Sequence, residues 1–234
     1  MFLPLSVDTP RSRFPSVTLA LIALNVLAFA ALIALPPADR VALAKAAGAV
    51  PWELARFRHM SLPAGHPHSL LPPPLTIFTS MFIHADPIHL LGNMWFLWVF
   101  GSRLEGVLGA LRFLALYLGV GALAVVLQVA AGPDVVLPMV GASGAIAGVL
   151  GAYAVALPRA RVRCLVLLLF FVAPVRLSAG AMLGLWLLVQ VASSAAGGGA
   201  VAYSAHMGGF ICGAMAARLL APPARLAPLV YHPA

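Results

Sequence analysis

Residues 17–35, VTLALIALNVLAFAALIAL, are 19 consecutive positions without a charged side chain. At about 1.5 Å of rise per residue, a helix of this length crosses the roughly 30 Å hydrocarbon layer of a bilayer. It exceeds the about 7–15 apolar residues of a cleavable signal's core, so it reads as a spanning helix. Five more apolar segments follow, at about 87–104, 113–131, 137–157, 177–193 and 201–221. The expected fold is an all-α membrane protein, a six-transmembrane-helix bundle. Its membrane domain covers 17–221, between an N-terminal tail (1–16) and a C-terminal tail (222–234).

Residues 36–86 separate the first two segments and carry Pro36, Pro37, Pro51, Pro63, Pro67 and the run LPPPL. They read as a long structured first outer loop with short interfacial helices, with Trp52 at the membrane surface. Residues 164–175, CLVLLLFFVAPV, number 12 and reach about 18 Å as a helix. That is too short to cross, so a surface-lying or partly re-entrant piece is expected.

Only 9% of the residues are charged and 62% are hydrophobic, against about 25% charged in a soluble domain. The chain cannot cover its own surface with polar groups, and lipid is the expected solvent. The net charge of +8 comes from basic residues strung between apolar runs. No groove-reading motif or aromatic–basic platform accompanies it, so nucleic acid is not a partner. With the N-terminus inside, Arg11, Arg13, Arg103, Arg112, Arg159, Arg161, Arg163, Arg176, Arg218 and Arg225 all fall on the cytoplasmic side, ten of the 14 basic residues. The positive-inside rule then supports six spans with both termini cytoplasmic. Arginine in preference to lysine, with abundant Ala, Gly and Pro, points to a GC-rich genome and a bacterial plasma membrane. Cys164 and Cys212 form no CxxC and read as packing residues, with no disulfide framework or metal site.

Polar side chains inside spans are costly and mark function. The six acidic residues (Asp8, Asp39, Glu53, Asp86, Glu105, Asp134) avoid the middle of every span, and HExxH is absent. An aspartyl or zinc protease is therefore excluded. Histidine, asparagine and serine remain. In FIHADPIHLLGNMWFLW (82–98), Asp86 suits an N-cap and Pro87 the first helical position. His89 and Asn93 then share a face one turn apart. They serve either as polar glue between helices or as part of a site. His84 precedes the helix and suits a structural hydrogen-bonding role.

Gly141, Gly144, Gly148 and Gly151 repeat at spacings of 3, 4 and 3, and His206, Gly209 and Gly213 lie on one stripe of the last segment. Two smooth faces of this kind pack backbone to backbone. Such stripes alone make helix pairs, but apolar packing needs no imidazole. In the six-span arrangement Ser143, His206, His89 and Asn93 share one depth, toward the outer face. The chemistry this permits is acyl transfer, with Ser143 as nucleophile and His206 as base and later acid. The Ser143 N–H at a helix start, the Asn93 amide and the His89 ring are candidate oxyanion donors. With no carboxylate well placed as a third member, the pair is a dyad.

Together, HxxxN at 89–93, GASG at 141–144 and AHxxG at 205–209 resemble the rhomboid family of intramembrane serine proteases, over about 74–215. The resemblance implies Ser143 as nucleophile, His206 as general base, and His89 and Asn93 in the oxyanion hole, without a cofactor. It implies a structural Glu105, followed by Gly109 in an ExxxG. It implies transmembrane proteins as substrates. Two features depart from the family pattern. The Trp–Arg pair of the first outer loop is missing, and Ala147 stands where some members carry an aromatic on the histidine, so another group must orient His206. The alternatives are a catalytically silent rhomboid-like module that binds membrane proteins, and a haem-binding bundle using His89 and His206.

Overall fold

The computed structural model describes residues 2–9, 14–57, 71–168, 171–197 and 202–220. Arg11, Arg13, Pro63, Pro67, Arg225 and the tail 222–234 lie outside these. Among the described residues the protein is helical, with one small sheet. After strand β1 (Phe2–Val7) come α1 (Ser16–Ile33), α2 (Pro37–Ala47), α3 (Pro51–Arg56) and α4 (Pro73–Thr79), then a 3-10 turn at Ser80–Phe82. Helix α5 (Pro87–Phe96) passes through a π turn (Leu97–Gly101) into α6 (Ser102–Leu108). Helices α7 (Ala110–Ala131) and α8 (Ser143–Ala156), strands β2 (Arg161–Leu168) and β3 (Phe171–Ser178), and helices α9 (Ala179–Ala195) and α10 (Tyr203–Leu220) follow.

Among the described residues two helices, α1 and α7, are long and apolar enough to cross a membrane; α8 and α9 are apolar but shorter. The six expected segments thus differ in length, and two of them meet the length and apolarity of a full span. Helix α8 begins at Ser143 rather than near 137, which leaves 14 residues, about 21 Å of helix. The residues before it form a loop. Ala49 and Met139 exchange backbone hydrogen bonds of 3.0 and 2.8 Å, and the Trp52 N–H donates to the Val135 carbonyl at 3.0 Å. The long segment after α1 is thereby fastened over the start of α8.

The sheet corrects two further expectations. Residues 164–168 and 171–175 are strand, so the fold is not all-α. They belong to an antiparallel hairpin, β2 with β3, and β1, from the expected N-terminal tail, pairs with β2 in the order β1-β2-β3. The sequence explains this locally. In β2, Arg161 and Arg163 are exposed while Val162 and Cys164 are buried, the period of two of a half-buried strand. Burial raises the Cys164 thiol pKa, so this cysteine stays a protonated packing group. The Trp95 indole N–H donates to the Pro4 carbonyl at 2.6 Å, linking the sheet to α5.

Helix α1 starts after Pro15, which offers no capping side chain. Its orphan N–H groups are met from a distance by Glu105. The carboxylate accepts from the Val17 N–H (3.0 Å), the Thr18 N–H (2.8 Å), the Thr18 hydroxyl (2.7 Å) and the Ser16 hydroxyl (3.3 Å). An anion at a helix N-terminus gains from both hydrogen bonds and the helix dipole, which explains why a glutamate can be 3% exposed here. Gly109, at φ 86°, then ends α6 and turns the chain into α7.

Helix α8 is the axis of the core, with every residue from Ala145 to Tyr153 buried. It packs backbone to backbone on α10. A Cβ at Gly151 would collide with the Phe210 carbonyl oxygen, one at Gly213 with that of Gly148, and one at Gly209 with that of Gly144. The glycine stripes read from the sequence lie at this contact.

Candidate functional site

Ser143 is the first residue of α8, preceded by Ala142 and by Gly141 at φ 115°. That φ favours glycine, and space demands it too. A Cβ on Gly141 would lie 2.7 Å from the His89 Nε2 and 3.6 Å from the Asn93 Nδ2. The Gly141 N–H donates to the Ser80 carbonyl at 2.8 Å, which holds the turn in place. Close approach of α8 and α10 brings Ser143 to the last helix, where its Oγ lies 2.8 Å from His206 Nε2. The partners are 63 residues apart in sequence. Both are partly exposed rather than sealed in the core. A cavity of about 30 Å³ beside Ser143, bounded in part by Ser80, Met81, Gly121 and Ala124, has room for one water-sized molecule.

His89 and Asn93 sit on α5, across Gly141 from Ser143. The Asp86 carboxylate accepts from the His89 N–H at 2.8 Å and so caps the helix. The Asn93 side-chain nitrogen is buried without a hydrogen-bond partner. Leaving a buried donor unsatisfied costs about 1–3 kcal/mol, and such a group marks a place where a ligand oxygen would be welcome. His84 is fully buried just before α5. Its ring meets that of His89 edge-on, with centroids 5.1 Å apart. Burial, with the neighbouring His89 a smaller cause, lowers the His84 pKa to about 4, so the ring packs as a neutral group.

A glutamine in the α9 segment completes the surroundings of His206. The other ring nitrogen of His206, Nδ1, lies 2.8 Å from Gln190 Oε1 on α9. Trp186, one turn earlier, is tilted over the imidazole with centroids 6.1 Å apart, and Tyr203 meets it edge-on at 6.3 Å. These groups surround the ring where Ala147 offers no aromatic. A lone amide in an otherwise apolar segment was the available signal.

The structure is that of a helical protein with long apolar helices and a serine hydroxyl in hydrogen-bond contact with a histidine at the start of a helix. Residues 74–223 match the Rhomboid domain, and the chain belongs to the rhomboid family. It is 36% identical over 149 residues to Rhomboid protein 1, mitochondrial, of Saccharomyces cerevisiae, a match covering 60% of this chain and 40% of the yeast protein. It is 33% identical over 143 residues to Presenilin-associated rhomboid-like protein A, mitochondrial, of Danio rerio, covering 59% of this chain and 36% of that protein. The human Presenilin-associated rhomboid-like protein, mitochondrial, matches at 33% over 138 residues, 57% and 35% of the two chains. The match thus spans well under half the length of these relatives.

These relatives overturn the expectation of a bacterial plasma membrane, because they are named as mitochondrial proteins. The physical reason for the error is simple. Apolar length and arginine placement report that a chain sits in a bilayer and which way round, not which bilayer it is.

Proposed function

We propose that this chain is an intramembrane serine endopeptidase that cleaves transmembrane proteins in a mitochondrial membrane. The observation that carries the reading is the 2.8 Å contact between Ser143 Oγ and His206 Nε2, made at a helix start within an apolar bundle. The family membership supports it. In the full reading, α1, α5 with α6, α7, α8, α9 and α10 form a six-helix membrane domain over residues 17–221.

Each step uses a group already described. The His206 Nε2 takes the Ser143 proton as Oγ attacks the scissile carbonyl. The oxyanion that forms is met by the Ser143 N–H at the positive end of α8, by the Asn93 Nδ2 and by the His89 ring. His206 returns its proton to the leaving amine. Water, deprotonated by the same nitrogen, then releases the acyl group. The substrate helix must unwind locally, because a lipid-exposed unpaired backbone is costly. Segments with helix-weakening residues are the expected targets.

The direct test is labelling with a fluorophosphonate in detergent. The wild-type chain is expected to be labelled, and Ser143→Ala is not. Equal labelling of both ends the proposal. For Asn93→Ala, turnover is expected to fall about 10²-fold, as for loss of one oxyanion donor, with an unchanged melting temperature. Wild-type turnover in that variant would remove Asn93 from the site.

A further inference from the structure

We propose that Gln190 is a positioning residue for His206: its side-chain oxygen accepts from Nδ1–H, so that the lone pair of Nε2 faces the Ser143 hydroxyl. This rests on the protease reading of the site and names a third member that the sequence reading lacked. The geometry is a line of three groups, Gln190 Oε1 to Nδ1 at 2.8 Å and Nε2 to Ser143 Oγ at 2.8 Å. A neutral imidazole carries one proton, on one nitrogen or the other. An oxygen at Nδ1 selects the tautomer in which Nε2 is the base. A nitrogen there would select the opposite one, with Nε2–H donating to Ser143 and no base available.

Three helices hold the arrangement. Gln190 follows Trp186 by four residues, so both project from one face of α9, and both engage the same ring. The ring comes from α10 and the hydroxyl from α8. Gln190 therefore ties α9 to the pair that the glycine stripes bring together.

The choice of an amide over a carboxylate has a physical reason. A carboxylate among apolar helices is costly to desolvate, and its charge would raise the pH below which the imidazole is protonated. An imidazolium cannot accept the serine proton. The amide orients the ring without adding charge. Among the described residues, the titratable groups near the ring are His89 from α5, close enough to act on it electrostatically, and Tyr203 from α10 itself, which meets it edge-on. Helix α8 presents Ser143 and α9 presents Gln190 and Trp186. On α7 the nearby polar group is Gln128, whose Oε1 accepts from the Ala205 N–H at 3.0 Å. None of these is a carboxylate.

Three measurements on the full-length protein test the proposal. Gln190→Met keeps the volume and removes the acceptor; kcat is expected to fall about 10- to 100-fold with KM little changed, as for loss of an interaction that serves the transition state. Gln190→Glu keeps the acceptor and adds a charge. An opposite charge within a few ångströms favours the charged imidazole by about one to three pKa units. Activity should persist in this variant, and the acid limb of its kcat/KM profile should move to higher pH by at least about one unit, because the base must be neutral to act. A side chain at 190 that did not face the ring would leave that limb in place. Third, the 15N shifts of the His206 ring in the wild-type protein should report the Nδ1–H tautomer, a reading independent of how any variant folds.

Wild-type kcat in Gln190→Met, an unmoved limb in an active Gln190→Glu, or an Nε2–H tautomer would each overturn the proposal. Loss of the protease reading itself looks different: fluorophosphonate labelling and cleavage would then be indifferent to Ser143→Ala.

Discussion

Ser143→Ala, His206→Ala and the double variant are expected to lose activity to the same extent, by on the order of 10⁴-fold or more in kcat/KM against a transmembrane substrate in liposomes. At about 1.4 kcal/mol per factor of ten, that is at least roughly 5.5 kcal/mol of transition-state stabilisation. The equality follows from the geometry. With Oγ and Nε2 joined at 2.8 Å, the nucleophile has no activator without the ring, and the ring has no proton to take without the hydroxyl. Either deletion removes the whole unit, so the second has nothing further to remove. Losses that add across the double variant would mean that the two residues act separately, and the proposed mechanism would be wrong. Melting temperatures should stay close to wild type, since both side chains are only partly buried.

The second large effect is structural. Gly213→Val is expected to destabilise the protein by about 3 kcal/mol or more, at the upper end for inserting bulk into a packed interior. A Cβ at 213 meets the carbonyl oxygen, carbon and Cα of Gly148. All three are backbone atoms of a buried helix, so no rotamer change relieves the clash. The helices must part, and the approach of Gly209 to Gly144 and of Gly151 to Phe210 opens with them. Because His206 lies two turns away on the same helix, its reach to Ser143 should weaken as well. Gly119→Ala in α7 is the control. Nothing lies within 4 Å of its added methyl, and alanine is the better helix former by about 1 kcal/mol. Thermal unfolding in detergent should therefore show a large fall for Gly213→Val and none for Gly119→Ala. Similar falls in both would detach the glycine stripe from the stability of the fold.

Much of the candidate site was legible because its parts are local patterns. Asp-Pro before an apolar run marks the start of α5, and His89 with Asn93 follows from helical spacing. Glycines at 3 and 4 residues mark the smooth faces of α8 and α10. The hairpin was harder to read. A 12-residue apolar stretch suits a strand and a short buried helix equally, and the arginines beside it fit cytoplasmic loop charges as well as a strand. Their alternation with Val162 and Cys164 was the missed sign of a strand. The start of α8 was misplaced for a related reason. Residues 137–142 are as apolar as the helix that follows, yet their backbone groups are committed to Ala49 and Ser80.

By itself the sequence determined that the chain belongs in a bilayer, where most of its helices lie, and which serine and histidine are candidates for one another. These depend on apolar length and on spacing within a single helix, which neighbouring residues settle. The tertiary structure alone decided which distant groups meet. Glu105 caps a helix that begins 87 or more residues earlier, the first residues pair with a strand past position 160, and Gln190 turns to the far nitrogen of His206. Each is a polar group whose partner lies on another element. In an interior without water such groups must find one another, but which ones do so depends on how the helices pack, and no local pattern carries that.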